Sequence, residues 1–83
     1  MITGTHKGTA YQLDKIDNQN TTVTRNSPFG SGAHAKDFNI PIERFVQYYS
    51  GEGLIQQVFP ELDPDDREFI MTGITPDEWP AES

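Results

Sequence analysis

Carboxylates are the most numerous reactive side chains in this sequence. The run Glu61, Asp63, Asp65, Asp66 and Glu68, with the pair Asp77–Glu78, could in principle hold a divalent cation or supply a general acid and base. A calcium loop of the EF-hand type also needs an internal glycine and a distant bidentate glutamate, and both are missing from this run. Helix capping accounts for much of the rest. Asp63 precedes Pro64 as an N-cap, and Asp65 and Asp66 fall beside the positive helix end. Thr75 and Glu78 have the spacing of a capping box. The two histidines, His6 and His34, sit in Gly-, Thr- and Ser-rich stretches with no third ligand indicated. The segment Gly4-Thr5-His6-Lys7-Gly8-Thr9 has glycines and a lysine but neither the spacing nor the preceding apolar strand of a phosphate-binding loop. With no cysteine there is neither a disulfide framework nor a thiolate metal site. The expectation is a chain with no catalytic residues, no metal site and no cofactor.

Charge divides the sequence in two. Residues 1–36 carry Lys7, Lys15, Arg25 and Lys36 against Asp14 and Asp17, a balance of +2; residues 37–83 carry 11 acids against Arg44 and Arg67, a balance of −9. The net charge of −7 argues against a free-standing nucleic-acid binder, which needs a basic face to neutralise phosphates. No apolar run approaches the ~18 residues of a membrane span, and the N-terminus lacks a signal-peptide core. A soluble, intracellular protein is expected. At 83 residues and 34% hydrophobic content, one small domain with a thin core follows.

These residues must be carried by short elements. Tyr11 and Leu13 alternate at strand spacing, Asp17-Asn18-Gln19-Asn20 is turn-like, and Thr21-Thr22-Val23-Thr24-Arg25 is β-branched, so residues 8–25 read as a β-hairpin. Asn26 to Ala35 reads as a flexible loop, with Phe29 either a partner-docking plug or the anchor that pins the loop. Asp37 to Ile40 reads as a short third strand. Ile42, Phe45, Val46 and Tyr49 form a helical stripe, and Leu54, Ile55, Val58, Phe59 and Leu62 form a second, cut by Pro60. A third helix runs from Pro64 to Thr72, closed by Gly73 as a left-handed cap, and Thr75 opens a fourth element with Trp79 as its aromatic core anchor. The fold class is α+β: an N-terminal hairpin and a short third strand packed with three or four short C-terminal helices. The domain is single, with residues 1–36 as hairpin and loop, 37–79 as the strand and acidic helical half, and 80–83 as a tail. The expected core also includes Phe38, Phe69, Ile70 and Ile74.

The segments Gly53-Leu54-Ile55-Gln56-Gln57-Val58-Phe59-Pro60-Glu61-Leu62, Asp66-Arg67-Glu68-Phe69-Ile70 and Thr72-Gly73-Ile74-Thr75-Pro76-Asp77-Glu78-Trp79 resemble the C-terminal signature of small phage-encoded proteins. The resemblance covers residues 37–79 and leaves the hairpin outside it. It implies a viral origin and an accessory role. Three function classes then compete: a non-enzymatic protein that binds and modulates or inhibits a host factor, such as a nucleic-acid-binding or defence protein; a minor structural or assembly protein of a virion; and an enzyme, for which no coherent nucleophile, base and cleft is indicated. The first is favoured, because an acidic half steers toward a basic partner. The acids free to carry such a contact are Glu43, Glu52, Glu61, Glu68, Asp77 and Glu78. A host protein in the host cytoplasm is the expected partner, with no direct nucleic acid and no membrane. Self-association is the other way to complete a thin core.

Overall fold

A computed structural model describes residues 1–30 and 32–76. Its elements run β1 (Ile2–His6), β2 (Thr9–Asp17), β3 (Asn20–Asn26), β4 (Ala33–Phe38), α1 (Ile42–Tyr49), α2 (Ile55–Val58) and α3 (Pro64–Thr72). The strands form one antiparallel meander in the order β1-β2-β3-β4, and the helices follow. The architecture is α+β. The expected hairpin is β2–β3 and the expected third strand is β4, which begins earlier, at Ala33, inside the stretch read as loop.

One strand precedes these. β1 pairs with β2 from Ile2↔Leu13 to His6↔Thr9, through the two-residue turn Lys7-Gly8 with φ of 53° and 86°. Two successive positive φ angles make a type I′ turn, whose twist suits the flanking strands. At the other end of β2, a bulge falls between Lys15 and Asp17. The Asp17 carboxylate accepts from the Gln19 amide at 2.8 Å and from Asn20 Nδ2 at 2.9 Å, which closes the turn into β3. Those bonds, the backbone one first, hold the Asp17 carboxyl below the usual range.

The period of two puts Leu13, Thr21, Val23 and Phe38 on the face that the helices cover. The core above them is largely aromatic: the Phe45 ring centroid lies 5.0 Å from Phe59 and 5.6 Å from Phe38, and Phe69 lies 6.4 Å from Phe38. Such pairs contribute about 0.5–1.5 kcal/mol each beyond their area. Val58, Ile70 and Ile40 complete this core, and Thr21 Oγ1 donates to the buried Ile40 carbonyl at 2.8 Å.

The helical stripe of α1 is rolled relative to the sequence expectation. Leu54, expected inside in the second stripe, is the exposed residue before α2; within α1, Val46, expected inside, is 37% exposed, whereas Tyr48 is buried. The cause is β1. His6 Nε2 lies 2.9 Å from the Tyr48 hydroxyl, which gives the polar tip a partner and lets the ring enter the core.

α3 has the ends its sequence dictates. Asp63 accepts the Asp66 amide at 2.9 Å, Pro64 stands in the first turn, and Gly73 takes a left-handed φ of 87°. A Cβ at Gly73 would fall 2.3 Å from the Asn26 carbonyl oxygen, so this glycine is required twice over. Thr75 is half-buried; Glu78, its expected capping partner, and Trp79, the expected anchor, lie outside the described residues.

Candidate functional site

The expected acidic contact residues are distributed over several elements. Glu43 is exposed in the first turn of α1, and Glu52 is exposed just beyond the other end of that helix. An eight-residue helix is about 12 Å long, so the two do not converge. Glu61 is engaged by Arg44, whose Nη2 lies 2.6 Å from Glu61 Oε1. That bond, above all, holds the Glu61 carboxyl below its ordinary value. Glu68 departs from the expectation of a free acid: it is half-buried and accepts a bond from Thr72 Oγ1 one turn later at 3.0 Å. Asp77 and Glu78 lie outside the described residues. Asp65, exposed in the first turn of α3, adds a carboxylate beside Asp66, which pairs with Lys36. Among the described residues, no three acids or histidines gather as a metal ion would require.

The arginines behave differently from the acids. Arg44 donates to the Val58 carbonyl at 2.6 Å in addition to Glu61. Arg67, which reads from sequence as a local ion-pair partner on a solvated face, donates instead to the Phe59 and Pro60 carbonyls at 3.1 and 3.0 Å. Arg25 is fully buried and donates through Nη2 to the His6 carbonyl at 3.0 Å, the Met71 carbonyl at 2.9 Å and Thr9 Oγ1 at 2.8 Å. Every arginine of the chain thus holds backbone carbonyls. The planar, multi-donor guanidinium suits this use, because it can serve several acceptors at once.

Around Arg25 lies a cluster that sequence reasoning did not assemble. Tyr11 stacks on Tyr49 with centroids 4.0 Å apart and planes 7° apart, His6 stands edge-on to Tyr48 and Tyr49 at 5.0 and 5.3 Å, and the Arg25 guanidinium lies 5.6 Å from the Tyr49 ring centre. The Tyr49 hydroxyl donates to the Ile70 carbonyl at 2.6 Å. Burial pushes the Tyr49 and Tyr48 hydroxyls above their ordinary pKa and lowers that of Arg25. Burial, then the charges of Arg25 and Lys7, also lower that of His6. The cluster therefore disfavours the charged form of the imidazole held between β1 and α1. A signal for Arg25 was available in the sequence: it sits two residues beyond Val23 in an alternating strand, so it shares the core-facing side.

Among the described residues, no helix covers the opposite sheet face. A shallow hollow of about 430 Å³ lies there, with Thr3, Thr5, Ala10, Gln12, Thr24 and Asn26 in its lining, which carries no charged side chain. The molecule is thus two-sided, with a threonine-rich sheet face, on which Asp14 and Asp37 are bonded to Gln12 and Thr22, and an acidic helical layer. No helix among the described residues is long and apolar enough to cross a membrane. No family model matches the chain, and no curated protein or solved structure was found to be similar to it.

Proposed function

We propose that the protein is a non-enzymatic binding module whose acidic helical layer engages a basic surface of a partner protein. The observation that carries this reading is the use of the arginines. All three donate to internal carbonyls, and the one arginine ion pair among the described residues, Arg44 with Glu61, leaves the exposed carboxylates Glu43, Glu52 and Asp65 without an arginine partner. Their field raises association rates with a cationic surface and is screened over about 8 Å at physiological salt. The resemblance of residues 37–79 to small phage-encoded proteins makes a host factor in the host cytoplasm the partner sought, with modulation or inhibition as the outcome.

The test is a capture experiment followed by kinetics. A host protein retained by the wild type should be lost with a Glu43→Lys, Glu52→Lys, Asp65→Lys variant whose melting temperature is unchanged. The association rate of the wild type should fall several-fold as salt rises from about 50 to about 500 mM. A salt-independent rate rejects the acidic-surface reading in favour of an apolar assembly contact.

A further inference from the structure

Among the described residues, β1 is an open sheet edge without the usual defences. The other edge, β4, carries Lys36 and Asp37, and Lys36 is tied to Asp66 of α3. β1 reads Ile2-Thr3-Gly4-Thr5-His6, with no lysine, carboxylate or proline and an unbroken register against β2. Natural edges are normally blunted by charges, prolines or bulges, because free N–H and C=O groups recruit another strand. The two-residue turn makes His6 and Thr9 the bonded closing pair of the hairpin. The alternation of an antiparallel ladder then turns Ile2 and Gly4 toward β2 and leaves the N–H and C=O of Thr3 and Thr5 pointing outward.

We infer that β1 pairs with β1 of a second copy of this chain, antiparallel and centred on Gly4, to give a continuous eight-stranded sheet. The sequence of the strand is self-complementary in this register. Thr3 of one copy meets Thr5 of the other and exchanges both backbone bonds, twice by symmetry, while Gly4 meets Gly4 at the axis. Thr3 and Thr5 also meet on the sheet face opposite the helices, where paired threonines are favourable cross-strand neighbours. On the helical face, Ile2 is 40% exposed and comes opposite His6 of the second copy, whose ring packs on Tyr48. Charge points to the same edge. No carboxylate occurs in residues 1–13, so the contact forms where a chain of net charge −7 repels itself least. Two five-residue strands bury less than the ~1,200 Å² of a standard stable interface, so the dimer is a weak, concentration-dependent one. This inference is independent of the acidic-layer reading, because it uses the opposite charge region of the molecule.

Sedimentation equilibrium of the full chain, from about 10 µM to about 1 mM, tests it. The wild type should pass from monomer to dimer over this range. The Thr3 and Thr5 amides should exchange more slowly as concentration rises, and the amides of β4 should not. Thr5→Pro removes an outward N–H without touching the β1–β2 ladder and should weaken association at least about tenfold. Should the proline variant fail to fold, the double change Thr3→Lys, Thr5→Lys supplies the missing edge charges and should keep the chain monomeric. A wild type that stays monomeric at the highest concentration overturns the inference. So does a folded variant of either kind that dimerises as the wild type does, or a dimer in which Thr3 and Thr5 gain no protection.

Discussion

Arg25 Nη2 lies 2.9 Å from the carbonyl oxygen of Met71, one of the last carbonyls of α3. Of the other carbonyls at that helix end, one is completed by the helix's own cap, Gly73, and two in the same way from α1 and the sheet. Phe69 O receives the Gly73 amide at 2.9 Å, Ile70 O the Tyr49 hydroxyl at 2.6 Å, and Thr72 O the Thr9 hydroxyl at 3.2 Å. The final four carbonyls of a helix have no partner within it, and its C-terminus is negative. A buried guanidinium there answers both needs. Its Nε and Nη1 make no hydrogen bond, which sets a cost against the gain.

Arg25→Met should destabilise the protein by about 1–3 kcal/mol, because it removes the side-chain donor from the half-buried Met71 carbonyl and one of the partners of the His6 carbonyl. Arg25→Lys should recover little, since one ammonium cannot reproduce the reach of the planar fork. Urea midpoints of the two variants check this. A methionine variant as stable as the wild type would show that burying the charge costs as much as its bonds return.

Gly73→Ala should be among the costliest single-methyl changes in the chain. Left-handed φ alone costs an alanine roughly 1–2 kcal/mol, and the Asn26 carbonyl must also move. The opposite end of α3 is more forgiving: Asp63→Ala loses one side-chain bond to the Asp66 amide and should cost about 0.5–2 kcal/mol. Thermal melts of both variants measure the difference.

Acid should weaken the fold through His6. Its pKa in the folded protein is lowered by burial and by Arg25 and Lys7, so the unfolded chain binds the proton more readily. Stability is full above the unfolded value of about 6.5 and is lost as pH falls from there through the folded value. This window lies above that of Asp17 and Glu61, whose lowered carboxyls release their stabilisation only at more acidic pH. In urea titrations between about pH 7.5 and pH 5, His6→Gln should flatten the dependence seen in the wild type.

Duplex DNA should not bind at physiological salt. Phosphate contacts need cations presented outward, and the arginines are turned onto carbonyls while the helical layer is acidic. A mobility-shift assay at micromolar protein and ~150 mM salt should show free DNA throughout.

The parts of the fold that sequence makes legible are those fixed by local stereochemistry. Asp63, Pro64 and Gly73 mark both ends of α3, and the β-branched run with its Asp-Asn turn marks β2–β3. β1 escapes notice because Ile2 is its only large apolar residue. What holds it is a ladder to β2 and the His6–Tyr48 bond, 42 residues apart in sequence. Tyr48 is hidden for the same reason: its burial depends on a partner that helical spacing does not name. The acidic half is legible as composition, but its geometry is not. The engagement of Glu61 depends on how α1 meets the segment after α2, and that of Glu68 on a Thr72 rotamer within α3 that composition does not name.

The arginine clasps have a consequence for how this chain can vary. A guanidinium bound to a carbonyl has a neutral acceptor, so neither salt nor protonation of nearby acids removes its partner. The exposed carboxylates Glu43, Glu52 and Asp65 are accordingly spectators of folding. Substitutions at Glu43, Glu52 or Asp65 can redraw the outer potential of the helical layer while the scaffold beneath keeps its bonds. Folding and surface charge are thus separately heritable properties of the same 83 residues.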